Sequence, residues 1–187
     1  MPTVPVKYVP NTLSKKDKEK QRQMLKKSRD LYKKGIYYTR SKLKSFKSKV
    51  SPHILKARKI YKIENIKPSK ELAKKTKCSI KGLRQIVKKG IGAYYSSGSR
   101  PSQTGHSWGY ARLGSTITGG KASAVDYHIL KEHCDPKGLA LKLANKSKKI
   151  YGKGRKKTKK TQLGGMTSIK KQVRKTKSKT DKMTLPQ

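Results

Sequence analysis

Residues 90–130 read GIGAYYSSGSRPSQTGHSWGYARLGSTITGGKASAVDYHIL, and they decide the fold class. Gly90 and Gly92 are expected to end a preceding helix, and Tyr94 and Tyr95 add apolar bulk with polar tips. Ser96 to Gly105 reads as a hydroxyl-rich loop stiffened by Pro101. Ser107 is placed to cap a helix from Trp108 to about Thr118, which Gly119 and Gly120 then stop. Trp108, Ala111 and Ser115 share one face of it, and Tyr110, Leu113 and Ile117 another, so it should be buried on most sides. A further helix, about Lys121 to His133, would turn Ala124, Val125, His128 and Ile129 inward before Asp135 and Pro136 end it. The pattern is helical throughout, with no alternation that would build a large sheet.

Outward from this window the composition changes sharply. The chain has 187 residues, with 51 Lys or Arg against 9 Asp or Glu, for a formal net charge of +42. The window itself holds only Arg100, Arg112 and Lys121, against Asp126. Apolar residues make up 32% of the whole, too few to bury a core along the full length. The expected architecture is therefore mainly α, a small helical core flanked by long extended or helical Lys-rich arms. Residues 1–68 would be a basic N-terminal arm, 69–145 the core, and 146–187 a polybasic tail.

In the first arm, Pro2, Pro5 and Pro10 give an extended lead. Ser14 caps an expected helix from Lys15 to about Lys34, ended by Gly35. Met24, Leu25, Leu31 and Tyr32 make a stripe on it too narrow for independent burial. Leu43, Phe46 and Val50 fall at helical spacing. Ser51 and Pro52 open a helix to about Lys62, with Ile54, Leu55, Arg58 and Tyr61 on one face. In the tail, Lys153, Arg155, Lys156, Lys157, Lys159 and Lys160 form an aperiodic basic run that suits polyanion binding or nuclear import. Beyond it, Leu163, Met166, Ile169 and Val173 recur at helical spacing. With Lys26, Lys27, Lys33 and Lys34, the basic run supplies the candidate polyanion contacts. Lysine predominates over arginine, 42 to 9, which favours phosphate contact over base reading.

Ser69 caps a helix over Leu72 and Ala73, and Ser79 caps a second with Leu83 and Ile86 as packing residues. The pair resembles a helix-turn-helix in which Lys81, Arg84 and Gln85 would face a major groove. Lys77 stands where such turns often place glycine, and two amphipathic helices packing on the core satisfy the same pattern.

The chemistry-bearing residues argue against an enzyme. Residues 114–123, GSTITGGKAS, miss a phosphate-binding loop by one residue and follow no strand, so they read as a helix stop and restart. Gly, Ser and Thr around Arg100 could form an anion nest, and a buried Arg100 satisfying loop carbonyls is the alternative. His128, His133 and Cys134 lack chelating spacing. Asp126 and His128 fall on different sides of one helix and make no dyad. Neither Cys78 nor Cys134 carries a nucleophile signature, and two cysteines without a secretory leader are expected to be reduced. No cofactor, metal, small-molecule substrate or membrane span is expected.

Gly92 to Leu130 resembles a motif close to GAYYSSGSRP-x-Q-T-x-x-SWG-x-ARL-x-S-x-ITGGKA-x-x-VDYHIL. That motif belongs to small basic proteins of large double-stranded DNA viruses, the nucleocytoplasmic group and its relatives. The resemblance covers about a fifth of the chain and neither arm. It implies a virion-associated or capsid-associated protein and brings no activity or ligand. Tyr94, Tyr95, Arg100, Trp108, Arg112, Asp126 and His128 are the candidate docking residues within it. The expected function is a non-enzymatic minor capsid protein, of cement or scaffold type, whose arms wrap neighbouring subunits. Its partners would be the major capsid protein and other minor capsid proteins, and its place the capsid or core of the virion after synthesis in the host cytoplasm. The alternatives are a sequence-nonspecific DNA-packaging protein of the virion core, with viral DNA as partner, and a ribosomal-type RNA binder.

Overall fold

A computed structural model describes residues 3–152 and 159–163. Among them the architecture is mainly α, with eight helices and a single two-stranded sheet. The helices are α1 (Lys15–Lys33), α2 (Pro52–Tyr61), α3 (Lys70–Thr76), α4 (Ile80–Ser96), α5 (Gly105–Ile117), α6 (Lys121–Val125), α7 (Tyr127–His133) and α8 (Leu139–Tyr151). Strand β1 (Thr3–Pro5) pairs antiparallel with β2 (Lys160–Gln162), Val4 opposite Thr161.

The caps follow from local chemistry. The hydroxyls of Ser14, Ser51, Ser69 and Ser79 accept from the backbone N–H groups of Asp17, His53, Leu72 and Gly82. Helix α5 begins earlier than the Ser107 cap would put it. Thr104 is the N-cap, and Thr104 and Ser107 satisfy each other's backbone N–H in a reciprocal box.

Gly90 and Gly92 do not end α4, which runs through both to Ser96. Glycine at 90 serves packing instead. A Cβ there would sit 2.6 Å from the Cα of Gly109, and one on Gly109 would sit 2.9 Å from the carbonyl oxygen of Val87. The two helices thus cross backbone to backbone, and α4 with α5 forms the most extensive contact between elements. Opposing terms decide the outcome of Gly90→Ala. Helix propensity favours alanine by about 1 kcal/mol, while forcing apart two backbones that cannot swivel aside costs roughly 1–3 kcal/mol. The variant is expected to lose stability, seen as a lower urea midpoint; a raised midpoint would refute the close crossing.

The main core gathers Leu83, Ile86, Leu113, Ile117, Ile129 and Leu130 from α4, α5 and α7. It also takes Ala57, Tyr61, Ile63 and Ile66 from the segment expected to be an arm. The charge step near residue 68 is therefore not a packing boundary. The step at 145 is not one either, because α8 runs across it and Ser147 is buried, donating to the carbonyl of Gly120. Two satellite clusters seat the rest of the N-terminal segment. Val4, Tyr8 and Leu25 pack with Leu163, and Leu13, Met24 and Leu43 form the other.

Some local expectations fail. Residues 41–50 are not helical, although Leu43 and Phe46 do pack inward; Val50 is exposed. On α2 the expected face holds for Ile54 and Tyr61, which pack on the core, but Leu55 is exposed and Ala57 is buried in its place. The helix expected over 121–133 breaks at Asp126, leaving Val125 and His128 outside. The recurrence at Met166, Ile169 and Val173 lies outside the described residues, as do Lys153, Arg155, Lys156 and Lys157.

Candidate functional site

Two buried polar centres hold the Gly92–Leu130 segment to its surroundings. The first is Asp126, which sits fully buried at the α6–α7 break. Arg112 grips both carboxylate oxygens at 2.7 Å, Lys89 approaches to 3.0 Å, and the Thr116 hydroxyl donates at 3.2 Å. Burial alone would raise the Asp126 pKa; the hydrogen bonds and charges of Arg112 and Lys89 outweigh it and hold the carboxyl below its usual range. The break in the helix places this carboxylate where three donors from α4 and α5 converge.

The second centre is Arg40, buried at 6% exposure with no carboxylate against it. Its guanidinium donates to the Ser28 hydroxyl at 2.7 Å, the Ser99 hydroxyl at 2.9 Å and the Tyr94 carbonyl at 3.1 Å. It lies 3.7 Å from the centroid of the Tyr94 ring, and its backbone N–H donates to the Tyr94 hydroxyl. A desolvated cation–π contact of this kind contributes about 2 kcal/mol. Gln21 completes the tie, donating to the carbonyls of Tyr8 and Ser99. These contacts dock α1 and residues 36–43 onto α4 and the loop after it.

Between the docked N-terminal segment and the core lies a cleft of about 950 Å³. Lys7, Tyr8 and His53 line one side, and Arg100, Trp108 and Arg112 the other. The small side chains of Ala93, Ala111 and Ala122 also face it, which leaves the space open. Trp108 meets Tyr8 edge to face, with ring centroids 5.8 Å apart. The electrostatics are one-signed. Burial lowers the Lys7 pKa, and Arg100 and Lys121 lower it further. His53 is likewise lowered, first by burial and then by Lys56, Lys7 and Arg100. No carboxylate enters either balance.

The model of one protein family matches residues 5–137, from the N-terminal lead through α7. The chain belongs to DUF5824, a family of unknown function. No curated protein and no solved structure matches it. The DUF5824 match includes both sides of the cleft, Lys7 and His53 as well as Arg100 and Trp108. It stops short of α8 and β2.

Within this DUF5824 fold the candidate residues separate into different environments. Tyr94 is buried under Arg40, and half-buried Tyr95 packs with Tyr32, Tyr37 and Tyr94. Trp108 and Arg100 both line the cleft, where Arg100 is exposed, so the alternative of a buried Arg100 fails; Arg40 is the buried arginine. Arg112 pairs with Asp126, and His128 is exposed. Lys26, Lys27, Lys33, Lys34, Lys159 and Lys160 are exposed, with Lys27 lying over the Tyr38 ring. Lys81 and Arg84 lie exposed on α4, while Gln85 is half-buried. Residues 114–121 form the end of α5 and the start of α6, with Gly119 in the left-handed region at the stop.

The expectation of reduced cysteines is overturned: Cys78 and Cys134 form a disulfide. Among the described residues no three His, Cys, Asp or Glu side chains group as metal ligands, and no helix is long and apolar enough to cross a membrane. Reading the sequence missed Arg40, Lys7, His53 and Gln21. The one available signal was an arginine beside two tyrosines, Tyr37 and Tyr38, in a segment otherwise dominated by lysine.

Proposed function

We propose that the chain is a non-enzymatic structural protein of a large DNA virus particle, whose helical body neutralises nucleic-acid phosphates without reading sequence. One observation carries the nucleic-acid half. The described residues hold 40 Lys and Arg (51 less 11) against 8 Asp and Glu (9 less 1). Four of those eight acids are engaged in intramolecular contacts: Asp126 with Arg112, Asp17 with Ser45, Glu64 with Arg58 and Asp135 with Lys77. The folded body, not only its tail, therefore presents a large unneutralised positive charge. The particle half rests on the resemblance over Gly92–Leu130.

A minor capsid role is the second reading. Its support is the adjacent pair Ile36 and Tyr37, exposed at the turn after α1 and apolar enough for a protein neighbour to cover. The N-terminal segment lends it less support than a free arm would, since that segment is folded against the core.

Titration of the full chain with duplex DNA at several salt concentrations separates the two. A phosphate-neutralising protein should give a log–log slope of about −5 or steeper, equal for unrelated sequences, and Arg84→Ala should create no difference between them. Failure to bind duplex at low salt, together with retention in nuclease-treated, genome-free particles, would overturn it in favour of the capsid role.

A further inference from the structure

The cleft between the N-terminal segment and the core combines features that a phosphate-coating surface does not need. We infer that it is a binding site for a nucleotide unit, a phosphate joined to an aromatic base. The inference does not depend on how the outer surface meets duplex DNA.

Three observations converge on this ligand. The space is about 950 Å³, an open cleft within the size range of small-molecule sites. Lys7 and Arg100 line it, and Lys7 feels both Arg100 and Lys121 as repulsive neighbours. Both side chains are exposed with no carboxylate beside them, so their like charges repel and a bound anion relieves that repulsion. A phosphate monoester, with a charge near −2, matches several cations better than a single carboxylate does. Beside them the half-buried Trp108 and Phe46 offer ring surface on which a base stacks. Both halves of the ligand thus find their partners in one cavity, with Gln103 and Ser115 on its lining for the polar edges of base and sugar.

Two sources share this chemistry, a free mononucleotide and one unit of a single strand. The site is of the wrong kind for duplex DNA, whose bases are stacked on each other and present no free face.

Trp108 is the sole tryptophan of the chain, so its fluorescence reports on the cleft directly. The full chain is titrated with adenosine 5′-monophosphate, ribose 5-phosphate, adenosine and a short single-stranded oligonucleotide, with excitation at the red edge of the tryptophan band. Saturable quenching by the monophosphate or the oligonucleotide is expected, each weakened about tenfold or more by Arg100→Ala. Arg100 is exposed and its side chain makes no hydrogen bond or ion pair among the described residues, so its replacement leaves the fold intact; a circular-dichroism melt verifies this. Tighter binding of the monophosphate identifies a free nucleotide as the source, and tighter binding of the oligonucleotide a single strand. Equal affinity for ribose 5-phosphate would overturn the base-stacking half. No saturable quenching by any of them, or quenching untouched by Arg100→Ala, would overturn the site altogether. Saturation by an acidic tyrosine-containing peptide where the monophosphate fails would replace the nucleotide with a protein ligand.

Discussion

Asp126→Asn is expected to destabilise the fold by about 3–5 kcal/mol, the cost of breaking a buried ion pair from one side. The substitution keeps the shape and removes the charge that Arg112 and Lys89 share. Arg112 is only 20% exposed, so its guanidinium would be left without a counter-charge in a poorly solvated place. Removing both partners, as Arg112→Met with Asp126→Leu, should cost less than either alone, because the poorly solvated guanidinium goes with the carboxylate and only Lys89, 39% exposed, is left to the solvent. The Thr116 hydroxyl stays satisfied in that double variant, since it also donates to the Arg112 carbonyl. Urea denaturation of the four proteins checks this as a double-mutant cycle. A double variant as costly as the sum of the singles would refute the pairing.

The same pair has a pH signature with a definite sign. The folded-state pKa of Asp126 lies below the ordinary carboxylate value of about 3.9. The pair's contribution is therefore fully present above about pH 4 and is lost as pH falls from there through the depressed folded value. The gap in stability between the wild type and Asp126→Asn should be constant near neutrality and should shrink in acid. Other carboxylates titrate in the same range, but they cancel in the difference. A gap that stays constant into strong acid would show that folding does not lower the Asp126 pKa.

Cap positions were readable from the sequence because capping is local: Ser14, Ser51, Ser69 and Ser79 need only their own next few residues. The helical class followed from the 3.6-residue spacing for the same reason. What charge counting concealed was the docking of residues 3–66. Its anchors are Gln21, Ser28 and Arg40, polar residues that a hydropathy reading assigns to solvent. They become buried only because the carbonyls and hydroxyls of the Tyr94–Ser99 segment, more than 50 residues away in the chain, complete their hydrogen bonds. Gly90 misled for a related reason. Within its own helix glycine reads as a stop, and only the facing Gly109 explains why α4 continues through it. The cleft shares this origin. Its Trp108 and Arg100 stood out in the sequence, while Lys7 and His53, from the opposite side, looked like any other basic residue of an arm.

Reduction of the Cys78–Cys134 disulfide is expected to lower stability by roughly 2–4 kcal/mol, since the bridge closes a loop with a sequence separation of 56. The two residues face each other in an isolated antiparallel bridge between the α3–α4 turn and the end of α7. The Ser79 N–H donates to the His133 carbonyl at 2.7 Å, and the Asp135 N–H to the Lys77 carbonyl at 2.8 Å. Those bonds flank the cysteines and make them a non-hydrogen-bonded pair, the arrangement that brings opposed side chains closest. Lys77 takes the left-handed conformation at this turn, which swings the chain back toward α7. A compartment argument could not foresee this pairing, because it ignores what the fold places side by side. Thiol titration of the unreduced, denatured chain should find no free thiol. Reductant should lower the urea midpoint of the wild type to that of Cys78→Ser with Cys134→Ser, and should leave that double variant unmoved. Two titratable thiols in the unreduced chain would mean the bridge does not form, and the predicted loss would vanish with it.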